Sequence, residues 1–136
     1  MTAYVSLAMI PAAGHAALVV AADPALQTLI GEALARLGLP VREAPSVGIA
    51  AAALDDASPL ALLVVDLDGH GRPPWPAALA LAARVWARSG APAVFVAPWP
   101  EPELQALVER DGVGAVLYKP FRLAELEATV RSLLGG

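Results

Sequence analysis

The chain contains no cysteine, which excludes disulfides, thiol nucleophiles and zinc held by thiolates. Lysine is nearly absent: Lys119 stands alone beside eight arginines scattered over the whole length. Clustered cations are what phosphate neutralisation requires, and a net charge of -4 with a pI near 5.0 argues against nucleic acid as a direct partner. No apolar run is long enough to span a bilayer, and residues 1–10, though apolar, lack the basic start of a secretory signal. A cytoplasmic protein that does not enter membranes is therefore expected. The two histidines, His15 and His70, have no second ligand at metal spacing and are read as solvated.

What is abundant is apolar surface. At 57% of 136 residues it rules out a disordered chain and suffices for the core of one domain. The stretch Leu62-Leu63-Val64-Val65-Asp66-Leu67-Asp68-Gly69 is short enough for one buried strand and ends in two carboxylates and a glycine. Four further apolar runs precede or follow it, at residues 17–22, 41–44, 92–97 and 115–118. Between them lie segments of helical period. The first starts at Asp23-Pro24, with Asp as N-cap and Pro at the first helical position, carries Leu26, Leu29, Ile30, Ala33, Leu34 and Leu37, and closes at Gly38. Ser46 caps a short alanine-rich helix expected to end near Asp56. A third helix follows a loop over residues 68–76, with Leu79, Ala82 and Trp86 towards the core and Arg84 and Arg88 towards water. A fourth carries Leu104, Leu107 and Val108 and is ended by Gly112 and Gly114; a fifth carries Leu123, Leu126, Val130 and Leu133.

Five strands alternating with five helices predict an α/β doubly wound, five-stranded parallel sheet with right-handed crossovers, a three-layer sandwich. The first, third and fourth strands are the most apolar and the second is half polar, which predicts the order 2-1-3-4-5 with the second strand outermost. Residues 1–15 form an N-terminal extension to a domain spanning 16–136. Val5, Leu7 and Met9 alternate there as in a weak strand; an added edge strand, a partner-binding tail and a disordered leader are the options, the last preferred.

The residues at the strand ends carry a resemblance. The five-fold alternation, the strand-end Asp66 with its glycine loop, and Lys119-Pro120-Phe121 after the last strand resemble the receiver domain of two-component response regulators. That resemblance places the phospho-acceptor on Asp66 and the phosphate-contacting lysine on Lys119. Its other active positions are degenerate here. The Mg²⁺-holding acidic pair falls on Ala21 and Ala22, the strand-four hydroxyl on Ala97, and the switch aromatic on Val116. Tyr118 is taken to face the other side of the sheet. Asp23 reads as a helix cap and Asp68 falls where the resemblance uses only backbone, so neither is expected to replace the missing ligands. Metal binding is expected to be weak or absent, and no other cofactor is expected.

Without the acidic pair, Asp66 and Lys119 are expected to form a direct, largely buried ion pair, costing about 3–5 kcal/mol to break from one side. Pro98, Pro100 and Pro102 fix φ along the loop that the family moves, so that loop is expected to be stiff. Trp75 and Trp99, in proline-flanked loops, are candidate partner contacts; the competing reading folds each onto its own loop. The face formed by residues 101–134 carries mixed charge and offers a homodimer surface. No catalytic residue is assigned and an enzyme is not expected. The reading is an atypical receiver domain acting in signal transduction as a phosphorylation-independent protein-interaction module. The alternative is a working receiver phosphorylated at Asp66 by a histidine kinase. A flavodoxin-like cofactor binder ranks last, because Ala21-Ala22-Asp23-Pro24 offers an acid and a proline where a phosphate-cradling loop is needed. No DNA-binding region follows the last helix, so output is expected through protein contacts, or the chain is part of a longer protein.

Overall fold

The computed structural model describes residues 15–54, 59–68 and 75–135. Ten elements alternate in order: β1 (Ala16–Val20), α1 (Pro24–Arg36), β2 (Val41–Ala44), α2 (Val47–Ala53), β3 (Leu60–Asp66), α3 (Trp75–Ser89), β4 (Ala93–Ala97), α4 (Pro102–Asp111), β5 (Gly114–Tyr118) and α5 (Leu123–Leu133). The strands form one parallel sheet in the order β2-β1-β3-β4-β5. The order follows from burial: every residue of β3 and β4 is buried, as continuous apolar runs require in a sheet covered on both faces. The outer strand β2 exposes Arg42 and Glu43.

Two apolar layers sandwich the sheet. On one face Val20, Leu63, Val65, Phe95 and Ala97 meet α2, α3 and α4. On the other, Val19, Leu62, Val64, Val94 and Val96 meet α1 and α5. Fully buried side chains such as Phe95, Leu62, Leu81 and Leu126 each contribute about 1.5–3 kcal/mol relative to exposure, so packing rather than any ion pair carries the stability. The helix starts read in the sequence are present as local chemistry. Asp23 accepts from the Ala25 N–H at 3.0 Å, Ser46 accepts from the Ile49 N–H at 3.1 Å, and α4 ends on Gly112 at φ 67°.

Several expectations are corrected. Trp86 is 44% and Leu29 41% exposed; the buried stripe of α3 is Ala78, Leu81, Ala82 and Val85, and Trp86 lies on its flank. Arg84 is not simply solvated, since its Nη1 donates to the Ala51 carbonyl at 3.4 Å and ties α3 to α2. α2 ends at Ala53, and the expected end near Asp56 lies outside the described residues, as do Val5, Leu7, Met9 and His70. His15, expected in water, is partly buried just before β1. Gly114 does not end a helix but opens β5.

A cavity of about 80 Å³ lies between α2 and the sheet, lined by Leu18, Ala44, Ala50, Ala53, Leu54 and Leu60. α2 buries only Ala50, because its Val-Gly-Ile-Ala-Ala-Ala-Ala sequence offers little to pack. No helix among the described residues is long and apolar enough to cross a membrane.

Gly114 is the tightest point of the sheet. A Cβ there would stand 2.2 Å from the Ala93 carbonyl oxygen, a backbone atom held in the β4–β5 ladder. Gly114→Ala is expected to lower stability by about 1–3 kcal/mol, through backbone displacement rather than a lost contact. Urea unfolding checks this, with Gly48→Ala, where the nearest atom is a side-chain oxygen at 4.0 Å, as the tolerated control.

Candidate functional site

β3 carries its apolar run to the carboxyl end of the sheet and stops at Asp66. Asp66 is the buried charged residue of the described structure, at 2% exposure. A carboxylate in that position needs a partner. Lys119 follows β5 directly, held by a hydrogen bond from its N–H to the Ala97 carbonyl at 2.9 Å. From there its Nζ reaches Asp66 Oδ1 at 2.9 Å. The two side chains are unequally exposed, 25% for Lys119 against 3% for Asp66, so the ammonium closes the site from the solvent side.

Asp68 is a third member that the sequence reading left out. Its N–H donates to Asp66 Oδ1 at 3.2 Å, the i to i+2 pattern of an Asx turn, and its Oδ2 lies 3.5 Å from the Lys119 Nζ. The Asp-x-Asp spacing was the available signal. The cluster is therefore two carboxylates around one ammonium rather than a neutral pair. Asp66 Oδ1 takes both contacts, while Oδ2 makes no hydrogen bond among the described residues.

The neighbouring strand ends supply no further oxygen ligands. Ala21 is buried and Ala22 exposed after β1, and their backbone is occupied differently: Ala21 N–H donates to the Ala44 carbonyl, and Gln27 Nε2 bridges the Ala21 and Ala44 carbonyls at 3.3 and 3.4 Å. Asp23 is committed to capping α1. Ala97 is fully buried under the α4 side of the sheet. Among the described residues no three His, Cys, Asp or Glu groups are placed to hold a metal. The divalent cation implied by the resemblance would meet two carboxylates, Asp66 and Asp68, that already share a lysine ammonium, and two alanine methyls where further oxygen ligands are needed; this donor set is a poor fit for it.

Val116 and Tyr118 are two residues apart and so share a face; both pack against the α2–α3–α4 layer, which corrects the expectation that Tyr118 points the other way. The Tyr118 hydroxyl donates to Gln105 Oε1 of α4 and ties the edge strand to that helix. The tryptophans part company. Trp75 is not in a loop: it opens α3, is partly buried and packs against the core. Trp99 is 61% exposed in the loop between β4 and α4, flanked by Pro98 and Pro100.

No protein-family model matches this chain, and no curated protein matches it in sequence. Solved structures do match its fold. Chemotaxis protein CheY4 of Vibrio cholerae is 18% identical with a TM-score of 0.71, over 88% of this chain and 98% of that one. A response regulator receiver protein of Sinorhizobium medicae is 22% identical with a TM-score of 0.72, over 91% and 97%. A response regulator of Burkholderia pseudomallei, described with a phosphorylated aspartic acid, a calcium ion and citrate, is 20% identical with a TM-score of 0.69, over 89% and 69%. The CheY-like fold is shared; at these identities the likeness concerns the fold.

Removing Lys119 leaves Asp66 buried against Asp68 without a cation. Lys119→Met is expected to lower stability by about 1–3 kcal/mol, less than for a fully buried pair because the ammonium is partly solvated. Adding Asp66→Asn should restore part of the loss. Urea unfolding of the two single variants and the double variant checks this, and strict additivity would show that the two side chains are not coupled.

Proposed function

We propose that the chain is a receiver-like signalling module that works through protein contacts without phosphorylation of Asp66. The observation that carries this reading is the Lys119–Asp66–Asp68 cluster, in which Asp66 Oδ1 is already bonded by an ammonium and an N–H. Phosphoryl transfer is catalysed mostly by positioning and by neutralising the charge on the transferring oxygens. Here the positions that would hold a metal are methyl groups, and the position of the strand-four hydroxyl is the methyl of Ala97. One ammonium shared by two carboxylates has little charge left for an incoming phosphoryl group. Weak or absent Mg²⁺ binding belongs to the same proposal, as does the absence of enzymatic activity.

Output then runs through surface contacts, in keeping with the signalling proteins that share the fold. The face of α4, β5 and α5 offers one such surface. β5 is half-buried along its whole length and forms an open edge of the sheet, which a second copy of the chain could cover. A cytoplasmic location follows from the proposed role.

One observation favours a second reading, a receiver phosphorylated at Asp66 by a histidine kinase. Asp66 Oδ2 is free of hydrogen bonds among the described residues, and so is available to attack phosphorus. A single experiment separates the two. The protein is incubated with Mg²⁺ and a small-molecule phosphodonor, and its intact mass is measured beside that of Asp66→Ala. The expected result is no mass gain in either; a gain of one phosphoryl group in the parent alone establishes the second reading.

A further inference from the structure

Among the described residues, the carboxyl-end edge of the sheet has lost several N–H donors to proline and carries several carboxylates. In a doubly wound fold this edge gathers the N-termini of the helices, whose free N–H groups ordinarily favour anions. Proline removes those donors here. Pro24 and Pro102 open α1 and α4, and Pro98, Pro100 and Pro120 stand in the loops after β4 and β5. Each lacks an N–H. The same edge carries the carboxylates of Asp23, Asp66, Asp68, Glu101 and Glu103. Among the described residues the cations against them are Lys119, already engaged with Asp66 and Asp68, and Arg122 at the start of α5, whose backbone N–H is taken by Glu125 Oε1 at 2.8 Å. Among the described residues Glu101 and Glu103 have no hydrogen-bond or ion-pair partner. An anionic ligand would meet acceptors; a cationic one would meet unpaired carboxylates.

Trp99 adds the second half of the argument. Among the described residues it is the most exposed of the large apolar side chains, and it stands two residues from Glu101 and four from Glu103. Prolines on both sides fix the backbone around it, so little conformational freedom remains to be lost on binding. An exposed indole two and four residues from carboxylates with no partner among the described residues suits a guanidinium, which can stack on a ring while its N–H groups bond carboxylates. A lysine ammonium offers the charge but not the planar stack.

We infer that the Trp99 corner, with Glu101 and Glu103, binds an arginine-bearing segment of a protein partner. This rests on the reading of the domain as a contact module and names the chemistry of the contact. The test titrates the ¹⁵N-labelled chain with short peptides that alternate glycine with arginine, lysine or glutamate, and follows the Trp99 indole N–H and the amides of residues 97–103. The arginine peptide is expected to shift these signals at the lowest concentration, the lysine peptide to bind more weakly, and the glutamate peptide not at all. Trp99→Ala is expected to weaken arginine-peptide binding by about tenfold, and Glu101→Gln with Glu103→Gln to weaken it further. Trp86→Ala, which removes another exposed indole on α3, should leave it unchanged. Shifts spread over the whole surface, unaltered affinity in Trp99→Ala, or equal binding of the glutamate peptide would each overturn the inference. A phosphoryl mass gain with arginine-peptide binding intact would instead overturn the phosphorylation-independent role and leave this site standing.

Discussion

β3 is sealed on both faces and ends in a carboxylate, and the strand-end edge is arranged around compensating that one charge. The apolar layers on both faces of the sheet leave Asp66 2% exposed, so a cation has to be brought to it. The chain does this with its one lysine, delivered by the strand two places away across β4. The ladder that aligns β3, β4 and β5 therefore fixes the geometry of the pair as much as it fixes the core. Gly114 belongs to the same arrangement: the close approach of β5 to Ala93 at the far end sets where Lys119 emerges at this one.

A carboxylate held by an ammonium differs chemically from one that holds a metal. A divalent ion exchanges ligands and admits phosphate oxygens; a covalently tethered ammonium stays, and it satisfies the carboxylate without inviting an anion. The prolines at the helix starts act in the same direction by deleting N–H donors. Small residues at positions 21, 22 and 97 leave the surroundings apolar rather than charged. Tyr118, hydrogen-bonded to α4, ties the neighbouring layer to the edge strand.

Much of the fold was legible because local chemistry and periodicity agreed. Asp23-Pro24 and Ser46 announce helix starts with side chains that do cap them, and the graded polarity of the five strands orders the sheet. Legibility failed where the answer depends on neighbours. A 3.6-residue period gives the apolar side of α3 but not its centre, so Trp86 was assigned to a core that Ala82 and Val85 fill. Prolines around Trp75 read as loop, although Pro76 falls in the first turn of α3, where a missing N–H costs nothing. Of the site, Asp66 and Lys119 were readable from their places at strand ends. Asp68 was not, because its part depends on how the chain turns after β3. The face of Tyr118 was misassigned although the two-residue period of a strand gives it directly.

The thin packing of α2 divides the domain into regions of unequal cohesion. With one alanine buried and a partly open pocket beside it, this helix adds little to the free energy that holds the sheet together, so it opens at lower cost than β3 or β4. Partial opening there would uncover β2, an outer strand, while the Asp66–Lys119 edge across the sheet stayed shut. The fold thus separates the part that keeps its shape from the part that is easily loosened, and places the charged cluster in the former.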